Sequence, residues 1–284
     1  MKIAVLIDNT PHPNRNMLYE HGLSIYIETA EQKCLLDTGA SDKFLLNAAK
    51  KGIDLTEVDF VILSHGHADH TGGLEEFLKL NKKAVVYLSS HALNKSFVSN
   101  RHGIQRNIGI NTDVINQNRH RFVFTDHSNK MITENIAIIT NITQEYKTPE
   151  ANSDLFILEN NNLIHDNFCH EQAVVIKTSA GLVIFSGCSH NGILNILSSC
   201  IDFFPESTVR LCLGGTHLID STGNNYYETK REVENIARTI LKYYPDMTFF
   251  TGHCTGKQAI EQFRSVLGNK LSVLHTGLQI NTTS

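Results

Sequence analysis

Short apolar runs recur along the chain, separated by turn residues and by segments whose apolar positions return with helical spacing. Runs of this length and β-branched content read as strands. They fall at Ile3–Ile7, Leu23–Glu28, Cys34–Leu36, Phe60–Leu63 and Val85–Leu88, then at Ala173–Lys177, Leu182–Phe185, Val209–Leu213, Met247–Phe250 and Leu271–Leu274. Between Tyr227 and Tyr244 the residues Val233, Ile236, Ala237, Ile240, Leu241 and Tyr244 share one face of a helix. A second helix is predicted from Thr255, where Thr255-x-x-Gln258 has the form of a capping box and Ile260, Phe263 and Leu267 follow. Strands alternating with helices predict a layered α/β fold. The pattern weakens between about 91 and 148, which reads as an irregular, partly β insertion in one domain spanning 1–284.

Composition narrows the function classes. With 25 basic and 29 acidic side chains in 284 residues, nothing favours a polyanion surface, so nucleic acid is not an expected partner. The apolar start ends at Asp8, too short for a leader or a span, and no later run reaches spanning length, so no membrane partner is expected either. Six scattered cysteines fit reduced thiols and a cytoplasmic location, with Cys34, Cys200 and Cys212 read as small core residues. Fifteen histidines are the unusual feature, because neutral imidazole is the commonest metal ligand.

Those histidines collect where predicted strands give way to turns or helices, the sheet edge at which α/β folds bind ligands. Val61-Ile62-Leu63-Ser64 leads into His65-Gly66-His67-Ala68-Asp69-His70, and Ile184-Phe185-Ser186-Gly187 into Cys188-Ser189-His190. Leu213-Gly214-Gly215-Thr216 leads into His217, and Phe249-Phe250-Thr251-Gly252 into His253-Cys254. Four potential ligands in six positions, spaced by Gly66 and Ala68, predict a metal loop. Mixed nitrogen and carboxylate donors suit zinc, iron or manganese rather than calcium or magnesium. His217 reads equally as a support for a ligand or as a core histidine. His12, His21, His102, His127, His165 and His275 read as ordinary polar positions.

Ser64-His65-Gly66-His67-Ala68-Asp69-His70-Thr71-Gly72-Gly73 and Leu36-Asp37-Thr38-Gly39 resemble the signature elements of the metallo-β-lactamase superfamily. Phe185–Ile193, Gly214–Leu218 and Thr251–Gly256 are similar to its branch of 7,8-dihydropterin-6-ylmethyl-4-(β-D-ribofuranosyl)aminobenzene 5′-phosphate synthases. The resemblance implies an αββα four-layer sandwich of two mixed sheets with helices outside. It implies one metal on His65, His67 and a third histidine, and a second on Asp69, His70 and His253, with an aspartate bridging. Here Cys188 stands where that aspartate is expected, and His170 or Glu171 stands near the expected third histidine, with His190 as another source of nitrogen.

The resulting expectation is an enzyme with one or two divalent ions, zinc first and iron or manganese next. It would act as a hydrolase, or as a transferase or synthase, on a phosphorylated, pterin-like small molecule through a metal-activated water, with Asp69 as both ligand and catalytic group. Arg101, Arg106, Arg119 and Arg121 are candidates for holding phosphate, against the reading that they form a solvated basic loop. The alternative function is an iron-containing redox or electron-transfer protein, suggested by Cys188.

Overall fold

The computed structural model describes residues 1–101, 103–222 and 227–282, so His102 lies outside the described residues. All ten predicted strands form, with ends shifted by a residue or two. In the first sheet the order is Gln279–Asn281, Lys2–Ile7, Ser24–Glu28, Lys33–Leu36, Phe60–Ile62, Val85–Ser89 and Phe122–Thr125. Pairing is antiparallel as far as Lys33–Leu36 and parallel beyond it. The second sheet runs Leu271–Val273, Thr248–Thr251, Val209–Gly214, Gly181–Phe185, Ala173–Thr178, Ile136–Ile139 and Lys130–Met131. Its parallel part lies between Gly181 and Val273.

Alternation along each strand decides the layers, because successive side chains leave opposite faces. Ile3, Val5, Ile25 and Ile27 of the first sheet pack against Val174, Ile176, Val183 and Phe185 of the second, forming the core between sheets. The intervening residues point the other way and are buried too. Ala4, Leu6, Leu35 and Val61 meet Phe44 and Phe77 of the helices Lys43–Lys50 and Leu74–Leu80. Val175, Ile184, Cys212 and Phe249 meet Ile196, Ala237 and Phe263 of the helices Ile193–Phe203, Lys230–Tyr243 and Lys257–Leu267. Helix, sheet, sheet, helix is thus the four-layer αββα sandwich. Strands buried on both faces explain why the sequence shows near-continuous apolar runs instead of clean alternation.

The helix predicted over 227–244 forms as Lys230–Tyr243, with a capping box in which Thr229 and Glu232 bond each other's backbone N–H. The capping box expected at Thr255 does not form. The helix starts at Lys257, and the carboxylate of Asp220 accepts from the N–H groups of Lys257 and Gln258. The Thr255 hydroxyl is occupied by Thr216 and Thr251 instead.

The segment 91–148 carries more regular structure than its sequence suggests. Phe122–Thr125 closes one edge of the first sheet, and Ile136–Ile139 is an inner strand of the second. Phe97–Arg101 and Ile104–Asn107 join Leu155–Glu159 and Asn162–His165 in a four-stranded sheet. That hairpin is tethered to the predicted metal loop: Ala68 N–H donates to Ile108 at 2.7 Å and Ile110 N–H to Gly66 at 2.9 Å.

Candidate metal centre

The strands Phe60–Ile62, Gly181–Phe185, Val209–Gly214 and Thr248–Thr251 release their chains into loops at their carboxyl ends, and those loops bring the histidines together. His65, His67 and His190 form one group with donor atoms within 4.8 Å of each other, and Asp69, His70, Cys188 and His253 form another. Glycine is required where the loops meet. A Cβ on Gly187 would lie 2.1 Å from the Ser64 hydroxyl, and one on Gly73 would lie 2.3 Å from the Thr38 carbonyl.

In the first group the His65 Nε2 faces His67 Nδ1 at 3.0 Å, while His67 Nε2 and His190 Nε2, although buried, have no partner among the described residues. The rings of His65 and His67 are 4.9 and 5.0 Å from that of His190. In the second, His70 Nε2 faces His253 Nε2 at 3.0 Å and the Cys188 sulfur at 3.2 Å, and Asp69 Oδ2 stands 3.3 Å from His253 Nε2. A neutral ring has one N–H, so His70 and His253, whose Nδ1 atoms face the oxygens of Asp37 and Asn9, oppose Nε2 lone pairs, and a buried polar atom without a partner is costly. A cation among these lone pairs would satisfy them together, so the residues present fit a metal.

Four of the five rings are held from behind, as ligands of metal sites are, His67 being the exception. His65 Nδ1 bonds Ser64 Oγ at 2.9 Å, His190 Nδ1 bonds Asn152 Oδ1 at 3.1 Å, and His253 Nδ1 bonds Asn9 Oδ1 at 3.0 Å. His70 Nδ1 meets Asp37 Oδ2 at 2.7 Å, and the same buried carboxylate accepts from the N–H and hydroxyl of Ser64. Asp8 accepts the His253 N–H at 3.0 Å. Sequence reasoning gave no role to Asp8, Asn9, Asp37 or Asn152. The available signal was that Asp8 and Asp37 end strands at the same edge as the histidines.

Electrostatics favour neutral imidazoles in the first group. Burial above all pushes His65 and His190 well below the usual histidine range, and His67 down to about 3. Asp69 behaves differently: burial opposes its charge, but His70, His253 and His21 outweigh it and hold the carboxyl well below its usual range. His253 is raised to about 9, because the Asp69 hydrogen bond overcomes burial.

Other candidates separate cleanly. The residue grouped with both His65 and His67 is His190, while His170 groups with His67 and Asp166, and Glu171 with neither. His170 accepts the Gly66 N–H at 3.1 Å and points its other nitrogen at Asp166, 3.0 Å away. Glu171 accepts the N–H groups of His190 and Asn191, both at 2.7 Å, and so shapes the turn that carries His190. His217 is buried with both ring nitrogens unpartnered among the described residues, its ring 4.2 Å from His190, and it groups with Cys188 and His190. His21 is not an ordinary surface residue: it stacks on His253 at 5.4 Å and lies 3.3 Å from Asp69.

The site opens into a cavity of about 460 Å³, whose walls include His67, Asp69, Cys188, His190, His217 and His253, together with Arg101 and Arg106 from the hairpin. Arg119 and Arg121 do not reach it. Arg121 donates to the carbonyls of Ala84 and Asn81, and Arg119 lies over the Phe124 ring at 4.9 Å. Among the described residues no helix is long and apolar enough to cross a membrane.

The family description "Metallo-beta-lactamase superfamily" matches residues 19–97, which include the histidine loop. Over 98 % of this chain and 95 % of the relative, the sequence is 29 % identical to 7,8-dihydropterin-6-methyl-4-(beta-D-ribofuranosyl)-aminobenzene-5′-phosphate synthase of Methanocaldococcus jannaschii. The crystal structure of Tm1679, described as a metal-dependent hydrolase of the β-lactamase superfamily, is 31 % identical and superposes with a TM-score of 0.82, covering 100 % of both chains. Zn²⁺-bound PqqB of Methylobacterium extorquens shares the fold at a TM-score of 0.56 and 12 % identity, over 99 % of this chain and 100 % of that one. Four packed layers, a histidine loop at the sheet edge and whole-length likeness to Tm1679 agree: this chain belongs to the metallo-β-lactamase superfamily.

Proposed function

We propose that the chain is a metal-dependent enzyme that breaks or transfers a bond in a phosphorylated small molecule, with His65, His67 and His190 holding one divalent ion and Asp69, His70, Cys188 and His253 a second. The observation that carries this reading is the cavity, which has members of both donor groups in its wall and the guanidinium-bearing Arg101 and Arg106 in the same enclosure. A bound divalent ion supplies Lewis acidity, polarising a substrate oxygen and making water a stronger acid. Nitrogen and thiolate donors suit zinc or iron better than magnesium.

The chain's own residues do the rest. Asp69 stays ionised and about a fifth exposed to the cavity, so its carboxylate can accept a hydrogen bond from water and orient it. Arg101 and Arg106 offer planar donor pairs that match phosphate oxygens. Ile104, Ile108 and Leu155 give the cavity an apolar wall suited to a ring. The synthase of M. jannaschii is named for a pterin phosphate, which supports a substrate of that kind here.

Elemental analysis of protein purified without added metal, followed by a screen of phosphomonoesters, phosphodiesters and pterin phosphates, tests the reading. Zinc with turnover of one of these classes is the expected result. His67→Ala should lose metal and activity together, and full metal content in that variant would contradict the ligand assignment. A second reading, electron transfer at an iron centre, is favoured by the Cys188 sulfur. Predominant iron with a reversible colour change, and no turnover in the screen, would select it.

A further inference from the structure

A second cavity, of about 230 Å³, lies behind the metal-site loops and shares no lining residue with the first. Gly192 and Thr216 form part of its wall, one just beyond His190-Asn191 and the other just before His217. The body of the cavity is apolar, made by Tyr146, Pro149, Ile193, Leu194, Leu218 and Ile236.

Its polar side is acidic. Glu228 lines it, and one carboxylate oxygen of Glu228 accepts the Glu150 N–H at 2.6 Å while the other, Oε2, is buried with no partner among the described residues. Lys147, also in the wall, pairs with Glu150 and, at 3.2 Å, with Glu232, so two carboxylates share one ammonium group. Among the described residues no ion pair reaches Glu228. An unpaired buried carboxylate oxygen costs free energy that a donor or a cation recovers. Burial pushes the Glu228 carboxyl above its ordinary range despite the Glu150 N–H bond, and the nearby Glu150 and Glu232 charges act in the same direction as burial.

We propose that this cavity is a binding site for a small organic cation, an aryl or arylalkyl amine or amidine, whose ring sits among Ile193, Leu218 and Ile236 and whose nitrogen meets Glu228. A cation supplies both missing elements, a donor for Oε2 and a positive charge against the carboxylates. The volume accommodates a single ring with a short arm and little more. The site stands independently of the reaction proposed for the metal cavity.

Benzamidine and phenethylamine titrated into the metal-retaining protein, followed by calorimetry and by amide NMR shifts, test it. One-to-one saturable binding is expected, with shifts centred on residues 192–194 and 235–239. Glu228→Gln should weaken it at least tenfold, Ile236→Trp should abolish it by filling the cavity, and both variants should keep their metal. Benzamide, the neutral isostere of benzamidine, should bind at least tenfold more weakly. Absence of saturable binding by both amines, equal binding of benzamide, or undiminished binding in Glu228→Gln overturns the proposal. Glu228→Gln replaces one polar atom, so it remains informative even if Ile236→Trp fails to fold.

Discussion

Five non-glycine residues around the metal-site loops hold left-handed backbone: Asp37, Phe168, Ser189, His217 and His253, with φ between 48° and 58°. Each such residue costs about 1–3 kcal/mol, and the surrounding contacts must offset it. Asp37 shows how. Its carboxylate accepts two hydrogen bonds from Ser64 and faces His70 Nδ1, which joins a strained turn to the orientation of a ligand ring. Asp37→Asn keeps the volume but replaces one acceptor oxygen with a donor amide. We expect a loss of about 10–100-fold in metal affinity, the usual consequence of removing a group that orients a ligand. Chelator competition measures it, and wild-type affinity in this variant would remove Asp37 from that role.

Among elements, helix Lys257–Leu267 was placed correctly by apolar spacing, yet its cap was not. The Asp220 carboxylate, 37 residues away in sequence from Lys257, takes the place of a local capping box. Asp220→Ala should therefore cost about 1 kcal/mol, while Gln258→Ala should stay within roughly 0.5 kcal/mol of wild type. Denaturant midpoints of the two variants decide this, and the reverse ranking would restore the local cap. The hairpin Phe97–Asn107 is the other element with a consequence. It contributes Arg101 and Arg106 to the cavity, and Arg101 also lies 3.6 Å from Asp154. Arg106→Ala should raise the inhibition constant for inorganic phosphate about tenfold, the effect of losing roughly 1.4 kcal/mol. Metal content should not change, and phosphate inhibition that ignores the substitution would place phosphate elsewhere.

For the whole molecule, removing metal leaves many buried imidazoles to be accommodated by the fold alone. His65, His67 and His190 are held neutral by burial, with folded-state pKa values below the unfolded value near 6.5. Their contribution is complete above about pH 6.5 and is lost as pH falls below it, down to about 3 for His67, because the unfolded chain then binds protons that the folded chain refuses. His253 has the opposite sign: raised to about 9, it contributes below about pH 6.5 and loses that contribution as pH rises through 9. Three groups against one make acid the destabilising direction near neutrality, and the depressed Asp69 adds to it only below about pH 4. The metal-stripped protein should show a falling thermal midpoint from pH 7 to pH 5. A midpoint that rises or holds over that interval would mean these side chains are not buried as described.

The sequence by itself determined the ten strands it showed as apolar runs, the α/β layering and the His65–His70 loop, because these are encoded by local periodicity and by donors six residues apart at most. It also pointed to His253, since strand, glycine and histidine lie in succession. Tertiary structure alone decided that His190, and not His170 or Glu171, joins His65 and His67, since the side chains of one short loop diverge by amounts set by backbone angles and not by spacing. It likewise separated Arg101 and Arg106 from Arg119 and Arg121, which have the same composition but different partners. Asn9 and Asn152, and the bond from Asp37 to His70, became legible only when distant strands and loops met, because a buried hydrogen bond between residues far apart in the chain leaves no periodic trace in either segment.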